Sequence, residues 1–339
     1  MNGKVASRAR WLGWLCATLV GCSNTVPPLD EARREELLQL TGQVEQPRMM
    51  SMVERLVESH LKDTPIDCHQ WGPNIIERFC RLSRDTAPDL IEQSLRESGL
   101  EVRRQFMPGE EHDVTNLVAD IPGTVHPEEV VVVGAHFDAF WGGADDNASG
   151  VAGMLELARV LSKYRFERTI RFVAFDLEEF GAVGSSRFAA ETVPGEKRVA
   201  TVIFDCIAFA SDEPGSQLSM PGLPSPEKGD FLAVVGNDHS AALASQMLRI
   251  NQGLGLVPLV PMISPGDGLN PLGEPLLRSD HASFWSASEP ALLLTDTALF
   301  RNPHYHEPTD LTDTLDPEFF THSVRLALAS VATWAGGPR

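Results

Sequence analysis

The feature that most limits what this chain can fold into is an apolar run, Val130 to Ala135, that stops abruptly at His136-Phe137-Asp138. Within a few residues comes a run of small and polar type, Gly143 to Gly150, which includes Asp145, Asp146 and Asn147. A short apolar run reads as a strand buried on both faces, and the polar groups at its end sit where an α/β sheet presents its chemistry. A second apolar run, Thr169 to Phe175, ends the same way in Asp176-Leu177-Glu178-Glu179.

Strand and helix patterns alternate from there. The spacing predicts strands over Val130–Ala135, Thr169–Leu177 and Val199–Ala208, with helices over Gly150–Tyr164 and Gly184–Glu191. In the first of these helices Val151, Met154, Leu155, Ala158 and Leu161 share one face, and Asn147 or Ser149 can cap its start. Such alternation implies a mixed α/β sheet, parallel at its centre and flanked by helices, in a single domain. Val102–Phe106 and Thr115–Ile121 read as a strand pair closed by Pro122-Gly123, Phe231–Val235 and Ala291–Thr295 as further strands, and Pro317–Trp334 as a closing helix. Before the sheet, Asp30–Leu40, Met50–Leu61 and Ala87–Ser98 read as helices, so residues 29–100 form a helical N-terminal portion of the domain 29–339. Glu213–Gly229 and Pro258–Pro275 are rich in Pro and Gly and read as long functional loops.

The N-terminus has Lys4, Arg8 and Arg10, then an apolar run from Trp11 to Val20. This is the layout of a signal peptide over residues 1–21. Leu19-Val20-Gly21-Cys22 resembles a bacterial lipobox, so Cys22 is the expected lipidation site, with residues 22–28 as a tether and Ser23 favouring the outer membrane over a periplasmic or secreted fate. Cys68 and Cys80 are the candidate disulfide in an oxidising compartment, leaving Cys206 as a packed thiol. The 47 acidic residues outnumber the 28 basic ones, which argues against a nucleic-acid partner and leaves the lipid as the only expected membrane contact.

His136, Asp145, Glu179, Asp205 and His306 together offer nitrogen and oxygen ligands without thiolate, a set suited to catalytic zinc. Asp138 is placed to orient His136 by accepting its second N–H, and Asp310 to do the same for His306. His281 either binds substrate or braces its loop, and Arg301 and His304 either line the pocket or stand at its rim.

Gly134-Ala135-His136-Phe137-Asp138, Gly143 to Gly150, Phe175 to Gly181 with Gly184-Ser185, Ile203-Phe204-Asp205, Ser279-Asp280-His281, and Tyr305-His306 with Asp310 occur in the order of the M28 zinc aminopeptidases. The chain resembles the secreted bacterial members of that family. The resemblance implies two zinc ions bridged by Asp145, one also held by His136 and Asp205 and the other by Glu179 and His306. It makes Glu178 the general base, places Asp138, Asp146, Asp280, His281 and Asp310 around the site or substrate, and suggests a cis peptide between Asp145 and Asp146. Peptides with a free N-terminus are the implied substrates, the water nucleophile being acidified by the zinc pair. Phe137, Ala139, Glu307 and Leu311 depart from the family pattern, which points to altered specificity rather than lost ligands. Two alternatives stand beside this reading: a single-zinc acyltransferase of glutaminyl cyclase type, and an inactive surface-anchored binding protein.

Overall fold

Alternate residues of one strand show how the architecture is built. Val131 and Val133 pack with the helices on one side of the sheet, whereas Val130 and Val132 pack into a separate apolar cluster on the other. A strand buried on both faces needs a helical layer on each, and the chain supplies them. The computed structural model describes residues 28–63, 82–219, 226–271 and 273–339.

In chain order the elements are α1 (Glu31–Thr41), α2 (Gln46–Lys62), β1 (Leu82–Ser83), α3 (Ala87–Glu97), β2 (Val102–Met107), β3 (Val114–Ile121), β4 (His126–His136), β5 (Ala139–Phe140), α4 (Gly150–Leu161), β6 (Arg168–Phe175), α5 (Val183–Ala190), β7 (Lys197–Phe204), β8 (Leu232–Asn237), α6 (Ala241–Leu254), β9 (Leu259–Ser264), α7 (His281–Ser286), β10 (Ala291–Thr295) and α8 (Pro317–Trp334). Eight strands form the main sheet in the order β2-β3-β6-β4-β7-β10-β8-β9. Its centre, β6-β4-β7-β10, is parallel, and β3, β2 and β8 add antiparallel pairings outside it. The parallel centre therefore aims the ends of β4, β6, β7 and β10 at one rim.

Helices α1, α2, α3, α4, α6 and α8 share the larger core, in which Leu37, Val53, Leu56, Ile91 and Leu95 of the N-terminal portion pack with Met154, Leu157 and Val324. The N-terminal helices thus belong to the same core as the sheet. Asp30 caps α1 by accepting from the Arg33 N–H at 2.8 Å, and Asp316 caps α8 through Glu318 and Phe319. Among the described residues no helix is long and apolar enough to cross a membrane. Cys22, Cys68 and Cys80 lie outside the described residues.

The stretch Pro258–Pro275 departs from its expected irregular form, because Leu259–Ser264 forms β9, parallel to β8 at the sheet edge. Pro261 hides this strand in the sequence, yet an edge strand tolerates a residue without an N–H on its open side. Helices α6 and α7 likewise fall outside the sequence reading; Ala244, Met247 and Ile250 bury one face of α6.

Gly134 is required by packing rather than by turn geometry. A Cβ there would lie 2.5 Å from the Phe175 ring and 2.9 Å from Ile203 Cδ1. Gly134→Ala is expected to lower unfolding free energy by about 1–3 kcal/mol, read as a shift in the urea midpoint, because the rings of a filled core have nowhere to move. An unchanged midpoint would contradict this packing.

Candidate metal centre

The ligand-type side chains meet at the rim where the parallel strands end. His136 closes β4, Glu178 and Glu179 follow β6, and Asp205 follows β7. Asp146 sits in the turn between β5 and α4, and His306 comes from the segment after β10. Two groups result, His136 with Asp146 and Asp205, and Asp146 with Glu179 and His306. In each group the ligand atoms lie within 4.8 Å of one another.

Asp146 is common to both groups. Its Oδ1 lies 3.3 Å from His136 Nε2, and its Oδ2 lies 2.9 Å from His306 Nε2. His136 Nε2 is also 3.7 Å from Asp205 Oδ1, and His306 Nε2 is 3.1 Å from Glu179 Oε1. Despite these separations His136 Nε2, His306 Nε2, Asp146 Oδ2 and Glu179 Oε1 are buried without hydrogen-bond geometry to any partner. Buried polar atoms are normally paired, so atoms that converge unpaired fit a shared cation. One imidazole and two carboxylates per group, with a carboxylate in common, is a donor set that suits a pair of zinc ions.

The bridging position expected of Asp145 belongs by geometry to Asp146. The Asp145 carboxylate is turned into the protein, where Oδ1 accepts from the Ala208 N–H at 3.1 Å and Oδ2 from Asn302 Nδ2 at 2.8 Å. The cis peptide is likewise one residue later than expected, between Asp146 and Asn147. Gly143 makes the turn possible, with φ of +55° and a position where a Cβ would meet Asp146 O at 2.4 Å and Ala139 Cβ at 2.5 Å. Asn147 then holds the turn to the sheet and helix, donating from Nδ2 to Phe204 O at 2.8 Å and accepting from Gly150 N at 3.1 Å. Of the two candidate caps for α4, Asn147 is the one that serves.

Of the two orienting roles, that of Asp138 beside His136 is seen and that of Asp310 is not. The Nδ1 of His136 faces the backbone carbonyl of Asp138 at 3.0 Å, which fixes the ring with Nε2 towards the site. The buried Asp138 carboxylate stands by the same nitrogen, with Oδ1 3.5 Å from Nδ1, and also accepts the backbone N–H groups of Glu178 and Glu179 at 3.0 and 3.2 Å. Asp310 does not serve His306; its two oxygens accept from the N–H groups of Asp145 and Asp146 at 2.9 and 3.1 Å. His306 is packed by Tyr305, stacked at 3.8 Å, and by the edge of Phe140.

Of the remaining candidates, His281 is buried with Nε2 2.8 Å from Leu276 O and its ring against Trp285, so it braces the loop. Burial lowers its pKa to about 4. Asp280 beside it is fully buried, which raises its carboxyl to about 7. Arg301 neither lines the pocket nor stands at its rim: it is buried, donates to Gln217 Oε1 at 3.0 Å and lies over the Phe231 ring at 4.4 Å. His304 is half-buried with Nδ1 2.9 Å from Thr309 Oγ1. Cys206 is a buried thiol, 3.3 Å from Asp205 Oδ1. Asn302 and Asp296 were not legible in the sequence, since neither lies in a ligand-type motif; Asp296 accepts from Phe209 N and Ala298 N and meets Asp145 behind the site.

Burial, reinforced by neighbouring carboxylates, raises Glu178 well above the ordinary carboxylate range and Glu179 to about 8. Burial alone would lower the histidines, but the surrounding carboxylates outweigh it, raising His306 to about 10 and His136 well above its usual value. Asp146 opposes its burial through both histidines and is held far below the usual range. Protons thus supply positive charge that bound metal would replace.

A cavity opens beside Asp205 with Val235, Met262, Leu276, Leu293 and Phe300 on its walls and Arg278 and Tyr305 also lining it. Asp205 places it next to the group formed with His136 and Asp146.

Residues 116–331 match the model of Peptidase family M28, and the chain belongs to that family. It is 33% identical over 267 residues to the uncharacterized protein YfbL of Escherichia coli K12, a match covering 72% of this chain and 78% of that one. Aminopeptidase YwaD of Bacillus subtilis is 40% identical over a shorter stretch of 86 residues, 25% of this chain and 19% of YwaD. Among solved structures, the LapA aminopeptidase of Legionella pneumophila shares the fold with a TM-score of 0.63 and 21% identity, over 90% of this chain and 76% of that one.

Ligation requires neutral imidazoles, so zinc binding near neutral pH should release more than one proton per chain, and apparent affinity should rise with pH towards about 10, where His306 titrates. Calorimetric titration of metal-free protein in buffers of different ionisation enthalpy reads this number. A binding heat independent of buffer would contradict it.

Proposed function

We propose that this protein is a two-zinc aminopeptidase that removes the N-terminal residue of peptides. The observation that carries the reading is the Asp146 carboxylate, which turns one oxygen to His136 and the other to His306. His136, Asp146 and Asp205 would hold one zinc, and Asp146, Glu179 and His306 the other. When bound, the pair supplies Lewis acidity towards the scissile carbonyl and lowers the pKa of water.

The remaining work falls to side chains of the chain itself. Glu178 is seated by its backbone N–H on Asp138, and a buried carboxyl with a raised pKa can take a proton from water and return it to the leaving amine. The carboxylates around the site favour a substrate's α-ammonium group, and the apolar cavity beside Asp205 would take the first side chain. Two complete ligand groups favour hydrolysis over a single-zinc cyclase. The products of a glutaminyl anilide separate the two, free glutamine and the aniline for hydrolysis, and pyroglutamyl anilide and ammonia for cyclisation.

Glu178→Gln should keep its zinc and lose about 10²–10⁴-fold in kcat on aminoacyl anilides, the usual share of a general base. Wild-type enzyme should leave N-acetylated substrates uncut. A variant within threefold of wild type would remove Glu178 from its role, as judged against that about 10²-fold lower bound. Equal cleavage of acetylated substrates would exclude an aminopeptidase.

We further propose lipid anchoring at Cys22 to the cell envelope, supported by the Leu19-Val20-Gly21-Cys22 segment. Labelled fatty acid should enter the wild-type chain and not Cys22→Ala. Equal labelling of both would refute the anchor.

A further inference from the structure

Arg84 lies before residue 116, where the family match begins, yet it reaches the site's supporting shell. Leu82 and Ser83 of β1 pair antiparallel with Phe140 and Ala139 of β5, just past His136 and Asp138. That pairing delivers Arg84 to Asp176, the first residue after β6 and the start of the turn that carries Glu178 and Glu179.

Asp176 is an anchor for that turn. Its side chain is only 1% exposed, and its Oδ2 accepts from the Arg84 guanidinium at 2.6 Å and from Thr115 N at 2.8 Å. Its own N–H donates to Asn116 Oδ1 at 3.1 Å, and its carbonyl accepts from Gly184 N at 3.0 Å. The chain then turns through Leu177, with φ of +55°, onto the N–H contacts that Asp138 makes with Glu178 and Glu179. Two buried carboxylates, Asp138 and Asp176, therefore hold the two ends of this short turn. Each repels the other, and the charge of Asp138 helps raise the Asp176 carboxyl to about 7, behind the larger effect of burial and against the pull of Arg84.

We infer that Arg84 is a positioning residue for Glu178 and Glu179: by tying Asp176 to the end of β1 it fixes the start of the turn and keeps it seated on Asp138. This rests on the roles proposed above for Glu178 and Glu179, but the seating of the turn can be read without them. Arg84 also donates to Asp113 O at 3.1 Å, so it joins the lead-in of β3 to the same turn. The N-terminal portion would then set the site's geometry as well as fill the core.

Amide hydrogen exchange is measured on the full chain for wild type, Arg84→Met, Arg84→Lys, Asp176→Asn and the Arg84→Met/Asp176→Asn double variant. With Arg84→Met, exchange over residues 177–182 should quicken about tenfold while β4 and β10 keep their protection, and Arg84→Lys should lie nearer wild type. The double variant should exchange no faster than the worse single one, since the two residues act through one contact. On an aminoacyl anilide, Arg84→Met should lower kcat about tenfold with KM within twofold and zinc content unchanged.

Unchanged exchange over 177–182, or a double variant whose effects multiply, would overturn the inference. So would loss of protection across the whole sheet in both Arg84 variants, which would make Arg84 a support of the fold at large. If wild type hydrolyses nothing while the exchange pattern appears, the peptidase reading fails and the seating role of Arg84 stands.

Discussion

One buried carboxylate facing two histidines is the constraint on which the rest of this structure depends. Asp146 can take that position only because Gly143 permits a left-handed turn, Asp310 holds the backbone N–H groups of Asp145 and Asp146, and Asn147 ties the turn to β7 and α4. Burying so many acids together is costly unless positive charge meets them. Protonated histidines meet that need in the metal-free protein, and zinc would meet it in the active enzyme.

The sheet turns that constraint into geometry. Four neighbouring parallel strands end at one rim, so residues from positions 136, 178, 179 and 205 converge although they are far apart in sequence. The rim residues are seated through their backbone as much as through their side chains: Asp138 accepts from the chain at Glu178 and Glu179, and Asp310 from the chain at Asp145 and Asp146. Carboxylates bound to backbone N–H groups in this way lock the direction of the neighbouring ligands, which is the support a metal site needs.

The parallel centre of the fold was legible because uninterrupted apolar runs, each ending in acids or histidine, have few other interpretations. Strand β9 was not, because Pro261 breaks the run and only its edge location makes it tolerable. The same contrast holds at the site. His136, Glu179, Asp205 and His306 all turn their ligand atoms inward, as residue type and motif order imply. Between Asp145 and Asp146 the sequence offers two identical side chains, and only the turn decides which faces the site. Asp138 stands by His136 as expected, but its hold on the chain at Glu178 and Glu179, and that of Asp310 on Asp145 and Asp146 rather than on His306, were hidden because side-chain spacing carries no information about free backbone N–H groups. Asn302 escaped notice for a related reason: its partner, Asp145, is 157 residues away and in no shared motif.

The central claim is that Asp146 lies between two metal ions. Crystals of the zinc-loaded protein measured at the zinc absorption edge test it most directly. The account requires two anomalous peaks, one beside His136 and Asp205 and one beside Glu179 and His306, with the Asp146 carboxylate touching both. A single peak, or two peaks joined by Asp145 with Asp146 turned away, would contradict it.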